Sequence, residues 1–161
     1  MASKISVEAS STIIFITKYY IRNYNTNELG TATRFPNGPN GTCTVFGAPK
    51  VNELLKDAIR GRARVLMSAM NYGEVYARIL RDDGLEHALT SMHAINPLPF
   101  EILDVTPQRA SAAADVKVNY KLYYVDSFAA ALAIEHKATL VTSDSDFRKL
   151  GHNLSVVWLK V

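Results

Sequence analysis

The residues best equipped for chemistry are four carboxylates, Glu74, Asp126, Asp144 and Asp146. Each has an ordinary structural role open to it. Asn71-Tyr-Gly-Glu74 has the spacing of a capping box, in which the Glu side chain reaches back to the cap N–H. Asp126 suits the first turn of a helix, where the macrodipole favours an acid. Asp144 can cap a segment holding Phe147, with Asp146 in its first turn. Jointly they say more. Glu74 follows one apolar run within a few residues, and Asp144 and Asp146 follow another. If those runs are parallel strands, their carboxyl ends are where ligands sit. Clustered carboxylates push one another's pKa upward. A divalent cation relieves that repulsion; Mg²⁺ is typically held by a few carboxylates and waters. Such an ion orients a water and stabilises charge on a phosphoryl group. The spacing leaves open how close Asp126 comes to that edge, so a metal-dependent phosphodiesterase is one reading among several.

Positioning these acids falls to an alternation of helices and strands. Ala48 and Pro49 open a helix with Val51, Leu54, Leu55 and Ile59 on its apolar face, closed at Gly61. Arg64–Ala69 reads as a strand, and Asn71 as the N-cap of a helix that stops at Gly84. A second helix runs over 85–95 and breaks at Asn96-Pro-Leu-Pro99. Phe100–Val105 is a strand, and Thr106 caps the helix that Pro107 begins. Asp126 starts a helix whose stripe is Phe128, Ala129, Leu132 and Ala133. Ala138–Thr142 suits a buried parallel strand, followed by a short helix over 145–150 and a last strand, Ser155–Leu159. This alternation implies an α/β fold with a mostly parallel central sheet flanked by helices.

The chain has 161 residues, 48% of them hydrophobic, enough for one domain with a real core. A net charge of +3 is compatible with an anionic partner. Cys43 is the only cysteine, so no intrachain disulfide forms, which suits a cytoplasmic protein. The early apolar run Ile13-Ile-Phe-Ile16 is far too short to span a membrane, and no cleavable leader is read after it. There is no Gly-rich phosphate loop and no zinc spacing among His87, His93, His136 and His152. Lys56, Arg60, Arg62 and Arg64 form either a solvated face or an RNA track. Tyr19, Tyr20, Tyr120, Tyr123 and Tyr124 could stack bases or serve the core.

Three segments resemble the PIN-domain family. Met67-Ser-Ala-Met-Asn-Tyr-Gly-Glu-Val-Tyr76 looks like its second-acid segment, Tyr124-Val-Asp-Ser-Phe-Ala-Ala-Ala-Leu-Ala133 like its third, and Leu140-Val-Thr-Ser-Asp-Ser-Asp-Phe147 like its fourth. Order and spacing agree over residues 47–161, most closely with VapC-type toxins of toxin–antitoxin pairs. The resemblance implies a PIN-like three-layer fold and a Mg²⁺- or Mn²⁺-dependent endoribonuclease, usually dimeric and restrained by a cognate antitoxin. It implies Glu74, Asp126 and Asp144 as catalytic, metal-holding acids, with Asp146 as an additional one. Thr142 matches an accompanying hydroxyl, and Thr142 and Ser143 become the candidate substrate contacts.

Residues 1–46 depart from that pattern and are read as an atypical N-terminal segment ahead of the domain at 47–161. Their only acids are Glu8 and Glu28, and 22–46 is rich in turn formers and expected to be irregular. The family's first strand ends in an Asp. Counting back from Gly47 puts that Asp near Arg34, within Thr-Arg-Phe-Pro-Asn-Gly, which is neither acidic nor a good strand. The alternative first strand is Thr12–Ile16, within a run to Ile21, and then Ile16 or Thr17 stands where the acid belongs. Either way the first acid is missing, as it would be if a frameshift or wrong start had replaced the N-terminal third. The missing acid favours a rival reading, an inactive PIN-like protein that dimerises or binds an antitoxin. A phosphoacceptor signalling domain is a weaker rival, because it needs an acidic pair after its first strand.

Overall fold

Short apolar runs separated by amphipathic helices produce a sheet with helices on both faces. The structure, a computed structural model, describes residues 11–15 and 48–159. The strands are β1 (Ser11–Phe15), β2 (Ala63–Ser68), β3 (Phe100–Leu103), β4 (Thr139–Thr142) and β5 (Val156–Trp158). The helices are α1 (Ala48–Ile59), α2 (Ala69–Asp83), α3 (Leu85–Ile95), α4 (Pro107–Tyr120) and α5 (Tyr124–Glu135), and a 3₁₀ segment, Ser145–Asn153, follows β4. That segment is kinked at Gly151, whose φ of 56° is one glycine adopts without strain. The sheet order is β3-β2-β1-β4-β5, and every pairing is parallel.

The middle position belongs to β1. Ile13 lies opposite Val65 of β2 and Thr139 of β4, and Ile14 opposite Leu66 and Leu140. Of the two places considered for the first strand, the one beginning near Thr12 is therefore in the sheet. The position near Arg34, the irregular stretch 22–46, Ile16 to Ile21 and Cys43 lie outside the described residues.

Alternation along β2 divides the core. Val65 and Met67 face α1 with Ile13 and Val141, against Val51, Leu54 and Leu55. Leu66 and Leu140 face the other way, onto α4, α5 and the 3₁₀ segment, meeting Val116, Phe128, Leu132 and Phe147. Small residues let α5 lie close to its neighbours: Ala129, Ala130 and Ala133 are all buried. A third cluster, Val75, Ile79, Ala88 and Met92, joins α2 to α3.

Most boundaries follow local chemistry. Thr106 caps α4, its Oγ1 accepting from the Arg109 N–H at 3.3 Å. Gly84 ends α2 at a φ of 86°, its N–H donating to the Leu80 carbonyl. Strands and helices differ from the sequence reading by one or two residues at several ends, as fraying termini do. Among the described residues no helix is long and apolar enough to cross a membrane. Arg109 joins the start of α4 to the end of α5, donating to both Glu135 carboxylate oxygens and to the Asp104 carbonyl.

This packing has two testable consequences. Ile13→Ala should lower stability by about 2–5 kcal/mol in urea unfolding, because it empties a core position in the middle strand; a loss within about 0.5 kcal/mol would argue against β1 as the central strand. The Arg109 guanidinium holds the Glu135 carboxyl below its usual pKa. A depressed pKa adds stability above the unfolded value, lost as pH falls through the folded one. Glu135 is partly exposed, so Glu135→Gln should cost less than about 1 kcal/mol near neutral pH. The difference should close as pH falls through the lowered folded pKa, once the wild-type carboxyl is neutral as well. A gap of constant size across that range would assign it to something other than charge.

Candidate functional site

In a parallel sheet all strands end on the same edge. Here β2 ends at Ser68 and β4 at Thr142, on either side of β1. The chain leaves β2 directly into α2. Ser68 keeps an extended backbone, and its Oγ accepts from the Met70 N–H at 3.2 Å, so Ser68 is the N-cap. This corrects the reading of Asn71 as cap. Asn71 lies inside the helix, and Glu74 is in its second turn, too far along to close a capping box. The Glu74 side chain is exposed.

Asn71 instead heads the buried stripe Asn71, Val75, Ile79. Its Nδ2 donates to the Val125 carbonyl at 3.3 Å, tying the first turn of α2 to the first turn of α5. Its Oδ1 is buried without a hydrogen-bond partner. Asp126, next after Val125, is the third residue of α5 and only 1% exposed. The contact resolves what spacing left open: the turn carrying Asp126 stands against the start of α2, at the carboxyl edge.

Beyond β4 the chain turns on its own polar groups. The Asp144 N–H donates to Thr142 Oγ1 at 3.0 Å, and Asp144 Oδ1 accepts from the Asp146 N–H at 2.9 Å. Asp144 therefore does cap the 3₁₀ segment, as its ordinary reading held. Asp146 pairs with Lys149 at 3.0 Å. Thr142 is buried and Ser143 half-buried.

Burying a polar side chain costs free energy unless it is bonded, so where such residues gather is informative. Among the described residues the buried polar and charged side chains are Ser68, Asn71, Asp126, Ser127 and Thr142. All five belong to the end of β2 or β4 or the start of α2 or α5. The polar chemistry of the interior is thus concentrated at one place. Still, among the described residues no three His, Cys, Asp or Glu side chains form a group able to hold a metal ion.

The other candidates lie elsewhere. Arg60 and Arg62 sit in the turn before β2, at the opposite edge, where Arg62 pairs with Asp57. Arg64 pairs with Glu101 at 2.6 Å. The run is a largely solvated face in which two of the four cations, Arg62 and Arg64, are paired. Tyr120 takes a bond from Asn153, Tyr124 packs edge-on against Phe128 at 5.0 Å, and Tyr123 is 71% exposed; Tyr19 and Tyr20 lie outside the described residues. His87, His93 and His152 are exposed. The interior role of Asn71 was missed. Its signal was an amide at i of an i, i+4, i+8 stripe that otherwise reads Val75, Ile79.

The PIN domain family profile matches residues 45–153. No curated protein sequence matches. Among solved structures, VapBC2 from Rickettsia felis, bound to a DNA fragment from its promoter, is similar with a TM-score of 0.60 at 14% identity, over 92% of this chain and 99% of that one. FitAcB from Neisseria gonorrhoeae gives 0.56 at 17% identity, over 89% and 95%. VapC20 from Mycobacterium tuberculosis, a sarcin-ricin loop cleaving toxin, gives 0.54 at 16% identity, over 86% and 95%. At such identities the likeness is one of fold.

Asn71→Ala should cost about 1 kcal/mol in urea unfolding, the net worth of one hydrogen bond. It should also speed amide exchange in the first turn of α5 relative to that helix's last turn. Uniform exchange along α5 would show that Asn71 does not hold that turn.

Proposed function

This chain belongs to the PIN domain family, and from that premise we propose that it is a ribonuclease toxin of the VapC type, short of one acid. In this reading it is a Mg²⁺- or Mn²⁺-dependent endoribonuclease of the cytoplasm, working as a homodimer and restrained by an antitoxin protein. Residues 47–161 form the PIN-like domain, and the atypical segment 1–46 lends it β1. Glu74, Asp126 and Asp144 are the catalytic, metal-holding acids, Asp146 is an additional one, and Thr142 and Ser143 contact substrate. What chiefly supports the site is the buried polar cluster at the carboxyl edge, with Asp126 and Thr142 inside it. The toxin and antitoxin roles rest on the likeness to VapBC2 and VapC20 together with the family match.

The donors suit a hard cation in kind, since Mg²⁺ prefers carboxylate oxygens and retains several waters. Asn71 Oδ1, an acceptor with no protein partner, could take a bond from one such water. In number they fall short: no three-residue ligand group forms among the described residues, and Ile16, directly after β1 in sequence, is aliphatic. A bound ion would supply a positioned water and offset charge on the phosphate. The chain's own part is to keep Asp126 desolvated in the first turn of α5, and to hold Asp144 through its bonds to Thr142 and Asp146. The same shortfall favours a second reading, a PIN protein that retains dimer or antitoxin contacts without cleaving RNA.

Cleavage of a pooled RNA, with and without Mg²⁺, separates the two. The unmodified chain should show little or no cleavage at ordinary Mg²⁺ concentrations. Ile16→Asp, or Thr17→Asp, should bring metal-dependent cleavage by adding charge and a ligand where β1 ends. Adding Asp126→Asn to the active variant should abolish it, because the amide keeps the shape and loses the charge. Robust cleavage by the unmodified chain would mean the missing acid is dispensable. Cleavage surviving Asp126→Asn would remove that residue from the site.

A further inference from the structure

A groove of about 520 Å³ lies between the end of α4 and the 3₁₀ segment, lined by Lys117, Val118, Lys121, Leu122, Tyr123, Asp146 and Lys149. Three lysines face a single aspartate. Lys149 is engaged: its Nζ lies 3.0 Å from Asp146 and donates to the Lys121 carbonyl at 3.4 Å. Lys117 and Lys121 are exposed and make no ion pair among the described residues. Lys121 ends α4 in the left-handed region, φ 52°, which turns the chain sharply into Leu122 and Tyr123. The wall beyond is aromatic and apolar, with Tyr123 and Val118 at 71% and 75% exposure.

The groove adjoins the carboxyl edge on two sides. Asp146 lines it, and the Asp146 N–H is held by Asp144. Tyr123 precedes α5, three residues before Asp126, and its carbonyl accepts from Ser127 Oγ at 2.9 Å. Unpaired cations beside an exposed aromatic ring, in a groove whose wall includes Asp146 with Asp144 bonded to it, fit one ligand chemistry well. Single-stranded nucleic acid offers phosphates for the lysines and unstacked bases for the ring.

We propose that this groove binds single-stranded RNA on its way to the carboxyl edge, with Lys117 and Lys121 taking successive phosphates and Tyr123 stacking a base. The inference rests on the ribonuclease reading for its choice of RNA and names a substrate track that reading leaves open. The opposing charge of Asp144 and Asp146 gives the track a direction: phosphate is attracted along the lysines and repelled at the acids unless a cation intervenes.

The test is binding rather than cleavage, so its outcome is independent of the missing acid. Anisotropy of a labelled single-stranded RNA pool is measured with the full chain in EDTA, from about 50 to 200 mM salt. Each phosphate contact on a single strand contributes about −0.7 to the slope of log affinity against log salt. Lys117→Gln with Lys121→Gln should therefore make the slope shallower by about 1.4, or about sevenfold less affinity lost over that salt range. Tyr123→Ala should weaken binding by about tenfold, and Tyr123→Phe should retain it. Arg60→Gln with Arg62→Gln, at the opposite edge, should leave the slope unchanged. An unchanged slope in the lysine variant overturns the proposal, and so does lysine-dependent binding of polyglutamate without binding of RNA. RNA binding that ignores these lysines defeats the groove while leaving the ribonuclease reading intact. RNA held through them by an Ile16→Asp chain that cannot cleave would do the reverse.

Discussion

Backbone hydrogen bonding of Ser11–Phe15 to strands on both sides is the interaction on which the molecule depends. An interior parallel strand satisfies its N–H and C=O groups only through two neighbours, and buried groups left unpaired are costly. With β1 in place, β2 and β4 stand two strand spacings apart, roughly 10 Å. That separation sets the geometry of the carboxyl edge. The ends of β2 and β4 flank the end of β1 across that distance, and the residue that follows β1 in sequence is Ile16, not an acid.

Around that gap the interior becomes polar in an organised way. Ser68 turns the chain from strand to helix, Thr142 receives the Asp144 N–H, and Asn71 grips the turn that presents Asp126. None of these bonds is worth more than about 1 kcal/mol net. Their effect is orientation: Ser68 and Thr142 shape the turns that follow β2 and β4, and Asn71 ties α2 to α5 across 54 residues, with side chains that apolar residues could replace for packing alone. An interior that concentrates its buried polar groups in this way accepts a cost in stability, the pattern expected where a site must be kept in shape.

Charge is distributed with the same asymmetry. At the amino edge two cations are committed, Arg62 to Asp57 and Arg64 to Glu101. Beside the carboxyl edge, Lys117 and Lys121 stay open to solvent next to the acids. The overall charge of +3 conceals this division. In the proposed track, an anionic polymer drawn by the lysines would meet Asp146 and Asp144 next, and closer approach would depend on a cation.

Much of the fold was legible in the chain because it rests on local chemistry. The alternation of apolar runs and amphipathic helices, the Thr106 cap and the Gly84 stop all appear where residue types demand them, and they settle an α/β sheet without further help. The three acid-bearing segments were legible for the same reason, since each is short and continuous. Other features depended on contacts across the chain. Asn71 satisfied the local rule for a cap as well as Ser68 did, and only the point at which β2 leaves the sheet chose between them. Asp126 had no fixed distance from the edge until Asn71 met Val125, 54 residues apart. The lysines of the groove come from the end of α4 and the 3₁₀ segment, and nothing in their spacing announces that they share a wall with Asp146. Residue types and their order dictate which elements form and which side chains are available to a site. Which strand stands in the middle, and which polar groups meet, is settled only in three dimensions, because pairing and burial are properties of neighbours in space.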